Sequence, residues 1–366
     1  MTAPAPGPEV MLRQAEALAD DLRTHTGAFD EQARALLSGA RSAETESVVI
    51  VGDGDSYHAA RAVEMAFESL AGVDCRPVSA LPFTHYARPD APCPPHTVLT
   101  IAVSASGRTP LVVRSAERAR RAGATVVALT GTPASPLTES ADAALLVGLP
   151  GQEPSPGVRT YQAGVLGALL IAIRLGQARG RLDRDRADAL RDELVALAGA
   201  VEETVRTVGG PCRELAERIA DAPVLTVLGS GPSHGTALYS AAKVIETSGV
   251  FAAGQDLEEW CHVERFARPT DMPTFVVAPP GHARDHAHQV IRRAAGLGRR
   301  VVAITPADDD RGAAEAWALL PVRGSVREEF SPLLYHLYAA PLACHLAHRL
   351  GRTPFAAGRP APGNPH

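Results

Sequence analysis

Lysine is almost missing from this chain. Of 36 basic residues in 366, only Lys243 is a lysine, and the rest are arginines. Arginine is a permanently charged fork, while lysine is a compact point charge whose proton affinity can move, so a site that needs the second cannot take the first. The stretch SAAKVIETSG (240–249) therefore raises two readings: drift in an arginine-rich composition, or a retained functional ammonium three residues before Glu246. Other scarcities exclude whole classes. The five cysteines (75, 93, 212, 261, 344) are odd in number, widely spaced and form no CxxC pair, which fits reduced thiols and gives neither a disulfide framework nor a zinc-site spacing. No excess of positive charge exists, the net charge being −5, so a broad basic face for nucleic acid is not expected. The N-terminus has no basic-then-apolar leader pattern, and no apolar run of about 18 residues is evident. A soluble, cytoplasmic protein without nucleic-acid or membrane partners is the expectation. The dinucleotide fingerprint G-x-G-x-x-G and the phosphate loop G-x-x-x-x-G-K-[ST] are both missing, so neither a nicotinamide nor an ATP reading is supported and no cofactor is expected.

What is present is repetition. SVVIVGDGDSYHAARAVEMAFESLAG (47–72) and VLTVLGSGPSHGTALYSAAKVIETSG (224–249) share one plan: a buried strand, a G-x-G-x-S turn, and an amphipathic helix ending in glycine. In register, Gly52 falls on Gly229, Gly54 on Gly231, Ser56 on Ser233 and Gly72 on Gly249. Residues 97–131 resemble residues 273–306 in the same way, as strand, turn, helix and strand. Short Val/Ile/Leu runs alternating with helical patterns mean βαβ units and parallel sheets covered on both faces. The fold class is α/β: two doubly wound lobes related by internal duplication. The expected organisation is an N-terminal helical segment (1–39), lobe one (40–175), a connector helix (176–214), lobe two (215–350) and a Pro/Gly-rich tail (351–366) whose last residues are mobile.

Parallel sheets present ligands at the carboxyl ends of their strands. There the N-termini of the following helices offer free N–H groups to an anion. Lobe one has two such turns, GDGDSYH and SASGRT. They bring the hydroxyls of Ser56, Ser104, Ser106 and Thr109, with Gly54 and Gly107 allowing close backbone approach. Lobe two has APPGHA where lobe one has SASGRT, so the anion is assigned to lobe one. A simple helix-capping role for these hydroxyls is the alternative. Glu246 and Lys243 share a helix face. A positioned carboxylate can take a proton from one carbon and return it to the next, and an ammonium can steady either the carboxylate or charge growing on substrate oxygen; an ordinary exposed ion pair is the other reading. Glu259 and His262 form E-x-x-H, which could ligate metal, but the sequence offers no third ligand, and no metal is expected. The histidine-rich HARDHAHQ (282–289) reads as a helix start with solvated imidazoles.

The motifs GDGDSYHAA, VSASGRTPL, GVRTYQAG, AAKVIETSG and EEWCHVE, over about residues 9–355, identify a resemblance to the double sugar-isomerase-domain (SIS) proteins. The chain is similar to the isomerase half of glucosamine-6-phosphate synthase, to fructosamine deglycases and to aminosugar-phosphate deaminase-isomerases. The resemblance implies that Ser56, Ser104, Ser106 and Thr109, with Gly54, Asp55, Ala105, Gly107, Arg159 and Thr160 around them, hold a sugar 6-phosphate. It implies Glu246 as proton shuttle, Lys243 as its electrostatic support, and His262, with Glu259 beside it, as the ring-opening acid–base. It also implies a homodimer, in which this histidine commonly reaches the other subunit's site. Several features depart from the family pattern, among them Ala105 where the synthase has a hydrogen-bonding amide and a tail without the synthase's terminal lysine. Asp53 and Asp55 flank the anion turn, where a carboxylate would repel a phosphate by roughly 1–4 kcal/mol at about 4 Å; Arg108 replaces a glutamate; and Arg159 with Gln162 stands where the synthase has small residues and a lysine. Arg108 and Arg159 are expected to restore positive charge, or else an aspartate meets a hydroxyl or amine of a different ligand. The expected function is an aminosugar-phosphate deaminase-isomerase or fructosamine-phosphate deglycase. The chain starts directly with its first helix and shows no N-terminal cysteine nucleophile, so it is not expected to make ammonia from glutamine itself. The alternatives are an enzyme of the same family on a specialised-metabolite precursor, and a sugar-phosphate sensor without turnover.

Overall fold

The computed structural model describes residues 7–37, 40–86 and 94–356. Contacts divide them into a front unit, Ala19–Gly151 with Arg159–Ala198, and a rear unit made of the remainder. Cys93 and the last ten residues of the tail, including those expected to be mobile, lie outside the described residues.

In chain order the main elements are helix α1 (Val10–Leu36), strand β1 (Ser47–Gly52), helix α2 (Asp55–Ala66), β2 (Asp74–Ser79), β3 (Val98–Val103), α3 (Pro110–Arg121), β4 (Thr125–Thr130), β5 (Ala143–Leu146), α4 (Arg159–Ala178) and α5 (Arg184–Ile219). Then come β6 (Val224–Leu228), α6 (Pro232–Ser248), β7 (Phe251–Gln255), α7 (Leu257–His262), β8 (Pro273–Val277), α8 (Arg284–Gly296), β9 (Arg300–Ile304) and β10 (Ala318–Leu319). The front sheet has the order β2-β1-β3-β4-β5 and the rear sheet β7-β6-β8-β9-β10. Every pairing is parallel. Strands β1, β3 and β8 are buried along their whole length, as strands covered on both faces must be.

The duplication extends to backbone angles. Gly54 (φ 54°, ψ −129°) and Gly231 (φ 55°, ψ −131°) open α2 and α6 with the same turn. A Cβ on Gly52 or on Gly229 would come within 3.0 Å of the backbone of Ser56 or Ser233, so both strand-to-helix turns close too tightly for a side chain. Gly72 and Gly249 end the two helices in the left-handed conformation, at φ 64° and 66°. The front helix differs in one respect: after Ala66 it widens into a π turn, Phe67–Ala71. Helix α4 is long and apolar enough to cross a membrane by length and composition, which the sequence reading did not register. With 83 % of its apolar window buried inside the protein, it is the core helix of the front unit.

Candidate active site

The front turns come from strand ends. β1 runs into GDGDS at the start of α2, and β3 into SASGRT at the start of α3. Ser104 is buried, and its hydroxyl lies 3.0 Å from that of Thr109. The Ser106 hydroxyl accepts the Arg108 N–H at 3.3 Å. The turn is tied down from behind. Gly131 N–H and the Thr132 hydroxyl both donate to the Ala105 carbonyl, at 3.1 and 3.2 Å, and Leu137 N–H donates to the Gly107 carbonyl at 3.0 Å. Gly107 is at φ 62°, and a Cβ there would lie 2.2 Å from Ser135 Oγ. Ala105 and Ser106 are exposed at the tip, and Ser56 is half-buried on the neighbouring turn. A pinned turn with hydroxyls and N–H groups at a helix start has the geometry to receive an anion.

Two expected contributors behave differently. Asp53 has a structural partner: its Oδ1 accepts the Ala80 N–H at 3.0 Å, so this carboxylate ties the first turn to the chain after β2. Arg159 is buried, and its fork grips Asp21 at 2.6 and 2.7 Å while Nη1 donates to the Pro150 carbonyl at 2.9 Å. That bidentate grip of a buried carboxylate replaces the expected ligand contact. Thr160, next to it, is half-buried in the first turn of α4. Asp55 opens α2 with His58 Nδ1 3.7 Å from Oδ1. Arg108 is exposed.

The rear unit's equivalent of the cradle is filled from within. At APPGHA, Glu328 Oε2 accepts the His282 N–H at 2.8 Å and pairs with His282 Nδ1 at 2.6 Å. A Cβ on Gly281 would come 2.2 Å from the Glu328 carboxyl carbon. The protein's own carboxylate thus already engages the N–H of this turn. Glu328 lies 46 residues from His282, and no local pattern announces it.

The rear unit presents Lys243 and Glu246 on α6. Lys243 is completely buried, and its Nζ meets Glu246 Oε2 at 2.5 Å, the carboxylate being 32 % exposed. Nζ also lies 5.1 Å from the centroid of the Tyr239 ring. Tyr239 is fixed in turn: its hydroxyl donates to the Gly157 carbonyl at 3.0 Å, and its ring stands edge-on to His336, 5.4 Å between centroids. Burial pushes the His336 imidazole down to a pKa of about 3, which keeps it neutral. Gly157 belongs to the GVRTYQAG motif, whose role as support for Tyr239 the sequence did not suggest. The end of the described chain folds against the last turn of α6: Phe355 N–H donates to the Glu246 carbonyl at 2.7 Å, and Arg352 to the Ser248 carbonyl at 2.7 Å. A cleft of about 630 Å³ runs along this seam, with Glu246 in its lining.

Glu259 and His262 lie on α7, both exposed. Asp256 caps that helix, accepting Glu258 N–H at 2.9 Å and the Ser230 hydroxyl at 2.6 Å. Burial alone would raise this carboxyl, but these bonds outweigh it and hold it below its ordinary range. The carboxylate that meets His262 is that of Glu258, whose Oε1 lies 2.8 Å from Nε2, because residues four apart share a helix face. The histidine cluster is also not uniformly solvated. His282 is exposed, but His288 is buried and bonded to Asp309 at 2.8 Å. Burial would raise Asp309; the bonds from His288 and Gly312 N–H bring it below the usual carboxylate range.

The family model for the SIS domain matches residues 43–167. The chain is 29 % identical over 249 residues to the glutamine–fructose-6-phosphate aminotransferase [isomerizing] of Streptomyces coelicolor, covering 68 % of this chain and 40 % of that protein. It spans about half the length of the curated relatives it matches. Among solved structures, the C-terminal domain of glucosamine-fructose-6-phosphate aminotransferase from Francisella tularensis superposes with a TM-score of 0.84 at 16 % identity, covering 94 % of this chain and 97 % of that one. Glucosamine-6-phosphate deaminase from Thermotoga maritima superposes with 0.70 at 18 % identity, over 93 % and 96 %. At such identities the superpositions speak for the fold, which is the same pair of parallel α/β lobes. Residues 43–167 thus match the SIS domain family, and the fold of the chain is like that of the solved structures on which it superposes.

Proposed function

We propose that the protein is an aminosugar-phosphate deaminase-isomerase. The front turns bind the substrate phosphate through Ser56, Ser104, Ser106 and Thr109. Glu246 takes the proton from the carbon beside the carbonyl or imine and returns it to the neighbouring carbon, so the carboxylate ends as it began. Lys243 holds that carboxylate in place and supports charge growing on the substrate, and His262 serves ring opening. When the shifted double bond is an imine, addition of water releases ammonia and leaves the ketose phosphate. A fructosamine-phosphate deglycase would use the same proton transfer with a larger amine leaving.

The observation that carries this reading is the fully buried ammonium of Lys243 set 2.5 Å from the partly exposed Glu246 carboxylate. A surface ion pair needs no such burial; a base that must keep one orientation does. The experiment is incubation with glucosamine 6-phosphate or fructose 6-phosphate in D2O. Deuterium entering C1 or C2, with ammonia released from the aminosugar, is the expected result. The double variant Ser104→Ala/Ser106→Ala is expected to lose calorimetric binding of fructose 6-phosphate. Binding without deuterium exchange by the unaltered protein would make it a sensor, and failure to bind any phosphorylated sugar would end the reading.

A further inference from the structure

From α7 and α8 of the rear unit we infer a transition-metal site, of the class that takes zinc, formed by Glu258, Cys261 and His286. The sequence holds two halves that look unrelated, EEWCH and HARDHAHQ. The fold brings them together. Glu258 and Cys261 are three residues apart on α7 and share its face, and α8 supplies His286 across from them. One ligand atom from each of the three lies within 4.8 Å of the other two. Glu258 Oε2 and His286 Nε2 are already 3.0 Å apart. A tetrahedral zinc ion, with bonds of about 2.0–2.3 Å, sets its ligand atoms about 3.5 Å from one another, a spacing within reach of three atoms that already lie within 4.8 Å of one another.

The chemistry of the donors is specific. One thiolate, one imidazole and one carboxylate form a mixed S, N, O set that suits zinc and cobalt, and not the all-oxygen shell that calcium and magnesium prefer. The His286 Nε2 atom is buried and has no hydrogen-bond partner by geometry, its approach to Glu258 being an ion-pair contact, so a cation between the two would satisfy both. Cys261 is 4 % exposed and Glu258 is exposed. The site thus has a closed floor and an open side, where water takes the fourth position. Glu258 also has a second duty: Oε1 holds His262 at 2.8 Å while Oε2 faces His286. A metal on Oε2 leaves Oε1 for His262 and orients it, so the ion would act on His262 through the shared carboxylate.

The site stands or falls apart from the proposed isomerase activity, because its test needs no substrate. The purified full chain is titrated with Co2+ and followed by absorption. One equivalent per chain, with a thiolate-to-cobalt charge-transfer band that Zn2+ bleaches, is expected. Cys261→Ser should abolish the band. His286→Ala and Glu258→Gln, which change side chains at or near the surface, should weaken Co2+ binding at least about tenfold. An unaltered protein that shows no charge-transfer band overturns the inference. A band that survives Cys261→Ser, or affinity unchanged in both other variants, overturns it as well.

Discussion

At the scale of single residues, Lys243 and Glu246 separate structure from chemistry. An exposed helix pair three residues apart contributes a few tenths of a kcal/mol, but Lys243 is completely buried, and a buried charge that loses its partner is costly. Glu246→Gln is therefore expected to lower stability by up to about 3 kcal/mol, reduced from a fully buried pair because the carboxylate is partly exposed. Lys243→Met removes the charge and keeps the volume, so its stability should stay within about 1 kcal/mol of the original. Both variants are expected to lose about a hundredfold or more of the deuterium exchange rate. Urea midpoints set beside exchange rates decide the matter: equal destabilisation, or exchange retained in either variant, would leave the pair with a purely structural role.

At the scale of elements, the two lobes reuse one strand–turn–helix design for different ends. In the front unit the turn after β3 keeps its hydroxyls and is pinned at Ala105 and Gly107; in the rear unit the turn after β8 is closed by Glu328. Gly54 and Gly107 both lie at positive φ, but only at Gly107 would a Cβ collide, with Ser135; at Gly54 nothing lies within 4 Å. Alanine at either position carries a backbone strain of about 1–3 kcal/mol. Gly107→Ala adds overlap and must displace the turn. It is expected to lower the thermal midpoint further than Gly54→Ala and to remove sugar-phosphate binding by calorimetry. Equal losses at both positions would show that packing behind Gly107 does not shape the turn.

At the scale of the whole molecule, acid sensitivity follows from closing the rear core around His336. Its folded pKa of about 3 lies below the unfolded value of about 6.5. Protonation therefore favours the unfolded chain. The contribution is whole above about pH 6.5 and is lost as the pH falls towards 3, at up to about 1.4 kcal/mol per pH unit. His336→Phe should remove this slope, so the stability gap between original and variant should narrow by about 2 kcal/mol from pH 7 to pH 5. Parallel urea-midpoint curves over that range would refute it.

The duplication, the parallel sheets and the two candidate turns were legible in the chain itself, because strand–turn–helix periodicity and the glycines at 52, 54, 229 and 231 answer to local sterics. The Lys243–Glu246 pair was legible for the same reason, since helical spacing puts it on one face. Other features depend on residues far apart in sequence, which only tertiary packing could bring together. Arg159 turns to Asp21, 138 residues away, Glu328 fills the rear turn, and α8 brings His286 to Cys261. Asp53, which flanks the first turn, gives one carboxylate oxygen to the Ala80 N–H, 27 residues away. Backbone periodicity decides where the turns fall; which charges remain available at them is set by long-range partners, because a buried charge must find its complement wherever the fold supplies one.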